Sequence, residues 1–246
     1  MVVFVHGVPE THHLWNDVRE ALGRDDTIAL ACPGFGNPRP AGFAATKEAY
    51  VDWLVAELEK IGEPVDLVGH DWGGAFTLRV ASIRPDLLRS WVSDAAGLAD
   101  VNFEWHEFAK IWQTPEAGEE FWRRQLAMPL GERAQTFVGF GVPLEKARDL
   151  AGRIDRTMGE VILALYRSAV NVGPEWAPAV AQIKTPGLVV VSELDPFANA
   201  DRWEGGARKA GAKVARLEGL GHWWPLQDPA RGARMLREFW SSLGGG

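Results

Sequence analysis

Gly69-His70-Asp71-Trp72-Gly73-Gly74 follows directly on the apolar run Pro64-Val65-Asp66-Leu67-Val68. Apolar run, glycine-flanked turn and helix-forming continuation read as strand, sharp turn and helix start. The spacing Gly-x-Nuc-x-Gly is that of a nucleophile elbow, and its nucleophile slot holds Asp71 where a serine would signal acyl transfer. A carboxylate in that slot points instead to attack on an alkyl carbon, such as that of an epoxide or a carbon–halogen bond, with an ester formed on the enzyme. An aspartate capping the next helix is the plainer reading of Asp71. The glycines at 69, 73 and 74 favour the elbow.

Working outward, strand-like runs recur at Met1–Val5, Thr27–Ala31, Pro64–Val68, Ser90–Ser93, Gly187–Val191 and Lys213–Leu217. Helical patterns separate them, and short apolar runs alternating with helices predict an α/β fold with a mostly parallel sheet covered on both faces. Residues 46–61 place Tyr50, Trp53, Leu54, Leu58 and Ile61 on one stripe, with Lys47, Glu57 and Lys60 off it. A helix over 73–83 opens after the elbow. Another over 228–240 turns Met235, Leu236, Phe239 and Trp240 inward. Residues 99–180 break the alternation, with helical patterns over 104–111, 116–127, 145–156 and 160–170 and no convincing strand. The predicted division is therefore a core of 1–98 and 181–246, carrying an all-helical lid of 99–180 over the edge where open α/β sheets bind ligands. Residues 241–246 read as a flexible tail.

The chain has 246 residues, 46% hydrophobic and 24% charged, enough for one large α/β domain with an insertion. Its net charge of −7 argues against nucleic acid or an anionic membrane as partner. Cys32 is the one cysteine, which excludes an intrachain disulfide and a cysteine-based zinc site, and it reads as a small buried residue. No run approaches a membrane span, and the first residues lack a leader pattern, so a cytoplasmic location is expected. Of twelve tryptophans, Trp105, Trp112, Trp122 and Trp176 fall in the predicted lid. There they serve as packing residues or as walls for an apolar substrate.

Three further segments join the elbow. His6-Gly7-Val8-Pro9-Glu10 follows the first strand, where the backbone N–H groups of an oxyanion hole are expected. Asp195, in Ser192-Glu193-Leu194-Asp195-Pro196, ends a strongly apolar strand and is placed to orient a histidine, with Glu193 as a nearby competitor. His222, in Gly219-Leu220-Gly221-His222-Trp223, follows the last strand. The order nucleophile, acid, histidine makes His222 the candidate base. His70 reads as a packing or hydrogen-bonding neighbour. His12, His13 and His106 lack a motif and read as surface or lid residues.

Taken together, these four motifs resemble the epoxide hydrolase and haloalkane dehalogenase branch of the α/β-hydrolase fold. The likeness runs from Met1 to about Trp240 and is weakest in the lid. It implies that Asp71 attacks carbon, that His222 held by Asp195 activates water against the ester, and that the N–H groups of Val8 and Trp72 hold the oxyanion. It implies no cofactor and no metal. It also implies a pocket for a small apolar substrate, for which His6, Pro9, Trp105, Trp112, Trp122 and Trp223 are candidates. Tyr166, in Ala164-Leu165-Tyr166-Arg167-Ser168, resembles a lid tyrosine that protonates the opened epoxide.

The sequence departs from the branch in two places. The partner lid tyrosine is missing, since the other tyrosine, Tyr50, lies on a core helix; His106 or a tryptophan N–H is a possible substitute. Relatives carry two further strands before the first one here. Without them Thr27–Ala31 becomes a sheet edge, which leaves monomer and homodimer both open. Val8 stands where many dehalogenases carry Asn. Together with Pro9-Glu10 and Tyr166-Arg167, this favours epoxide opening to a vicinal diol over dehalogenation. Asp94, near the end of the fourth strand, is an alternative to Asp195. A non-catalytic receptor on the same fold, or an esterase or perhydrolase, fits less well, given an intact Asp71, Asp195 and His222.

Overall fold

The computed structural model of the protein describes residues 1–244. Its six strands are β1 (Val2–Val5), β2 (Thr27–Leu30), β3 (Val65–Gly69), β4 (Leu88–Ser93), β5 (Gly187–Ser192) and β6 (Lys213–Leu217). They form one sheet in the order β2-β1-β3-β4-β5-β6, and all five pairings are parallel. Every residue of β1 and of β3 is buried, as expected of inner strands with helices on both faces. The strand order reverses between β1 and β3. A crevice opens at the carboxyl ends of two such strands, because the connections leaving them run in opposite directions. His6 to Pro9 leave β1 at this point, and His70 and Asp71 leave β3.

In the core, α1 (Asn16–Leu22) follows a short 3-10 turn, and α2 (Lys47–Ile61) is capped by the Thr46 hydroxyl, which accepts the Ala49 N–H. Tyr50, Leu54 and Leu58 of its predicted stripe are buried. Lys47 is buried as well, against expectation. Its Nζ donates to the Ser168 carbonyl and pairs with Glu175 at 2.7 Å, so its charge is neutralised where α2 meets the helical insertion. The elbow leads into α3 (Trp72–Ile83).

Between β4 and β5 the chain forms six helices rather than the four legible patterns: α4 (Glu107–Gln113), α5 (Ala117–Ala127), α6 (Leu130–Gly139), α7 (Leu144–Arg153), α8 (Arg156–Ser168) and α9 (Val172–Val180). α4 begins later than predicted because the His106 ring caps it, its Nδ1 accepting the Ala109 N–H at 3.2 Å. After β5 come α10 (Ala200–Ala210), α11 (Trp224–Gln227) and α12 (Pro229–Ser241). On α12, Met235, Leu236 and Phe239 are buried, and Trp240 is half-buried under the Arg24 guanidinium. The predicted tail is held at its start, where the Ser242 hydroxyl donates to the Phe239 carbonyl. Gly245 and Gly246 lie outside the described residues. No helix among the described residues is long and apolar enough to cross a membrane.

Candidate active site

His70 and Asp71 make the whole turn between β3 and α3. Asp71 sits at φ 51°, ψ −120°, backbone space that non-glycine residues rarely occupy and that recurs at functional turns. Only glycine fits at 69, since a β-carbon there would lie 2.1 Å from the Gly73 carbonyl oxygen. Gly7 is equally constrained: a β-carbon there would lie 2.3 Å from Asp71 Oδ1. With hydrogen at Gly7, the carboxylate comes close enough for Oδ1 to accept the Val8 N–H at 2.8 Å. Trp72 is the first residue of α3, at its positive end. Burial pushes the Asp71 carboxyl up to about 6.

His222 stands beyond β6 and faces both candidate carboxylates. Its Nδ1 meets Asp195 Oδ2 at 2.8 Å, and its Nε2 is 3.9 Å from Asp71 Oδ2. Asp195 also accepts the Phe197 N–H at 2.8 Å, which fixes the carboxylate plane. Burial alone would lower the His222 pKa, but the charge and hydrogen bond of Asp195 outweigh it and hold the value above the usual imidazole value. With Nδ1–H donating to Asp195, Nε2 is the free base and turns toward Asp71.

The other two contenders for the acid are occupied elsewhere. Glu193 accepts the Gly219 N–H at 2.7 Å. Asp94 lies behind the elbow, where Oδ1 accepts the Asp71 N–H at 2.8 Å and Oδ2 meets His70 Nδ1 at 2.5 Å and the Trp224 indole N–H at 2.8 Å. On its other side His70 meets Glu10 Oε1 at 3.2 Å, and Glu10 Oε2 accepts the Gly7 N–H at 3.1 Å. Burial opposes charge on all three side chains. Mutual attraction wins, raising His70 well above its ordinary value and holding Glu10 and Asp94 below theirs. His70, with both ring nitrogens on carboxylates, thus links Glu10, which holds the Gly7 N–H, to Asp94, which holds the Asp71 N–H. Glu10, His70 and His222 also gather within 4.8 Å of one another. Hydrogen bonds account for the gathering, since both His70 nitrogens face carboxylates.

Two small adjoining cavities, each about 50 Å³, meet at Asp71 and His222. Trp72, Trp105 and His106 line the first, and Val8, Pro9, Trp112, Tyr166 and Trp223 line the second, with His106 shared. Tyr166, on α8, is 2% exposed. Burial and the nearby Asp71 charge raise its pKa well above the usual phenol value, so it keeps its proton. Trp122 lies farther out, in a third cavity. Tyr50 is no second lid donor: it is buried in the core with its hydroxyl on the Pro33 carbonyl.

One predicted pocket residue is misplaced. His6 is 1% exposed and lines none of these cavities; its Nε2 accepts the Cys32 N–H at 3.1 Å and its Nδ1 meets the Gly7 carbonyl. Burial depresses its pKa to about 4, so it is a neutral clamp between the loop after β1 and the segment after β2. His106, which carries no motif and reads in the sequence as a surface or lid residue and a possible substitute donor, lines both cavities at Asp71. With Nδ1 accepting the Ala109 N–H, its proton sits on Nε2, and burial depresses its pKa to about 4. Neither placement had a sequence signal, because each depends on which strand ends the fold brings together.

A search against family profiles matches residues 2–235 to the alpha/beta hydrolase family. The chain belongs to that family. Among curated proteins, this α/β-hydrolase is 28% identical over 197 residues to a haloalkane dehalogenase of Bradyrhizobium diazoefficiens, covering 74% of the chain and 59% of that protein. It is 33% identical over 99 residues to epoxide hydrolase 2 of Siraitia grosvenorii, covering 37% of the chain and 31% of that protein. The matches thus span less than two thirds of either relative's length. Among solved structures, the Bacillus megaterium epoxide hydrolase superposes with a TM-score of 0.79 at 16% identity, covering 98% of this hydrolase and 93% of that chain. At that identity the likeness is one of fold.

Proposed function

We propose that this hydrolase is an epoxide hydrolase that opens a small apolar epoxide to a vicinal diol without a cofactor. The observation that carries the reading is that Asp71 and Tyr166 line one cavity, the carboxylate from the sheet and the phenol from the helical insertion. Asp71 Oδ1 rests on the Val8 N–H, which leaves Oδ2 as the attacking oxygen. Attack on an epoxide carbon forms the C–O bond of an ester and breaks the ring C–O bond, and the Tyr166 O–H gives its proton to the departing alkoxide. His222 Nε2 then takes a proton from a water whose oxygen adds to the ester carbonyl, with the N–H groups of Val8 and Trp72 holding the oxyanion. Collapse breaks the ester C–O bond, and the departing alkoxide takes the remaining proton of the added water to complete the diol. The Asp71 carboxylate is regenerated, and the His222 proton returns to the Tyr166 phenolate through solvent. In this reading residues 99–180 act as the lid that brings Tyr166 over the sheet.

One observation favours a second reading, dehalogenation of a haloalkane by the same Asp71, His222 and Asp195. The indole N–H of Trp112, which lines the cavity beside Asp71, is buried and bonded to no other group among the described residues, as a halide donor would be before substrate enters. Assaying the purified protein against matched epoxides and haloalkanes, with diol and halide as readouts, separates the two. Diol formation that is lost in Asp71→Asn supports epoxide opening. Halide release with no diol supports dehalogenation.

A further inference from the structure

Asp71 and His222 stand where two cavities of about 50 Å³ each meet, so a carbon at Asp71 Oδ2 has room on two sides. The first cavity is walled by Leu98, Phe103, Trp105 and Trp203, with Ala75 of α3 beside the nucleophile. These walls are held in place. Trp105 stacks on Trp72 at 5.6 Å and its indole N–H donates to the Ala169 carbonyl at 3.0 Å, and the Trp203 indole N–H donates to the Asp94 carbonyl. At roughly 10–15 Å³ for each water-sized group, the first cavity takes roughly three to five of them. Ester hydrolysis consumes a single water, so this space exceeds what the water needs. Tyr166 lines the second cavity and not the first, which directs the ring oxygen of an epoxide to that side. The second cavity also shares Pro9, Phe108, Trp112, Phe197 and Trp223 with the third, of about 100 Å³, so more room lies beyond it.

We propose that the site takes an internal epoxide, one substituted on both ring carbons, with a short apolar group on the attacked carbon seated in the first cavity and a longer one on the other carbon seated in the second. Asp71 Oδ2 bonds to the carbon bearing the short group, and the ring C–O bond at that carbon breaks. The oxygen stays on the other carbon and takes the Tyr166 proton. A terminal epoxide leaves the first cavity without an apolar occupant and forgoes that burial, which is worth about four-fold in affinity per methylene. The inference rests on the epoxide hydrolase reading for the reacting group and deepens it by naming the substrate class.

The binding test uses titration calorimetry on Asp71→Asn, which cannot form the ester. Two comparisons each add one carbon to 1,2-epoxyhexane: trans-2,3-epoxyheptane adds it at the attacked carbon, and 1,2-epoxyheptane adds it to the far arm. Each should tighten binding by about four-fold. Leu98→Trp, made in the same background, fills the first cavity and should abolish the gain at the attacked carbon while the far-arm gain stays. Ala75→Val narrows the same cavity from α3 and reports where Leu98→Trp fails to fold. A second measurement needs no cavity variant. When the active protein turns over trans-2,3-epoxyheptane in heavy-oxygen water, the label should enter the diol at the methyl-bearing carbon, because Asp71 passes on oxygen it has taken from water. No gain at the attacked carbon, a gain there that survives the folded cavity variants, or label at the other carbon overturns the proposal. Absence of diol from every epoxide counts instead against the epoxide hydrolase reading, and the binding comparison is read without turnover.

Discussion

Asp94 Oδ1 holds the backbone N–H of Asp71 at 2.8 Å, while its other oxygen meets the buried His70. The Asp71 main chain is therefore tied to a buried charge cluster of three side chains, Asp94, His70 and Glu10, which ends at the Gly7 N–H. Removing one partner of a buried ionic pair leaves the other uncompensated, at roughly 3–5 kcal/mol. Asp94→Asn leaves His70 its Glu10 partner, so a smaller loss, roughly 1.5–3 kcal/mol, is expected in urea unfolding at pH 7. A loss below about 1 kcal/mol, the range of exposed pairs, would show that Asp94 and His70 do not form an ion pair.

The same cluster sets a pH window for stability. The raised pKa of His70 contributes stability that is fully present below its unfolded value and is lost as pH rises through the folded one. The depressed values of Glu10 and Asp94 contribute stability present above their unfolded values and lost as pH falls through the folded ones. Thermal melts across pH should thus show a plateau in between, falling on the acid side. That acid-side fall is expected to be shallower in Asp94→Asn. An acid limb identical in the variant would place the titration elsewhere.

Ester formation needs the Asp71 carboxylate, and burial raises its pKa to about 6. In stopped-flow experiments with an epoxide, the fast ester-forming phase should rise with pH, pass its midpoint near 6 and level off. The high phenol pKa of Tyr166 predicts no alkaline loss at neutral pH. A midpoint near the ordinary carboxylate value of about 4 would mean that Asp71 is solvated.

Tyr166→Phe keeps the ring and removes the proton donor. Ring opening should slow by roughly 10²- to 10⁴-fold, the usual range for a positioned general acid. Hydrolysis of an ester already formed should be unaffected. Equal slowing of both steps would make Tyr166 a packing residue.

Much of this was legible in the sequence, for identifiable reasons. Most of the strands are short apolar runs between turn residues, though β4 and β6 carry charged residues, and the helix after β3 is announced by the glycines of the elbow. The order of motifs favours Asp195 over Asp94 as the partner of His222, and Asp195 is the acid that meets it. What was not legible is that Asp94 lies behind the elbow on His70 and the Asp71 N–H, because that depends on β3 and β4 lying side by side. The burial of Lys47 was hidden for a similar reason: its partners Ser168 and Glu175 are more than a hundred residues away and meet it only in the folded chain. Glu10 and His70 showed no sign of pairing, since the contact depends on β1 and β3 lying side by side. His106 carries no motif at all, and its position comes from capping α4 at the edge of the cavity.

The central claim is that Asp71 attacks carbon and His222 releases the product, and intact-mass spectrometry of His222→Gln tests it most directly. With a panel of epoxides and haloalkanes, hydrolysis should stall and an adduct should accumulate on the Asp71 peptide. An epoxide should add its whole mass, since no atom leaves, whereas a haloalkane would add its alkyl group alone. Accumulation of the whole epoxide mass on Asp71 is the predicted result. A folded His222→Gln protein that gains no mass from any epoxide, or gains it at a residue other than Asp71, would contradict the account.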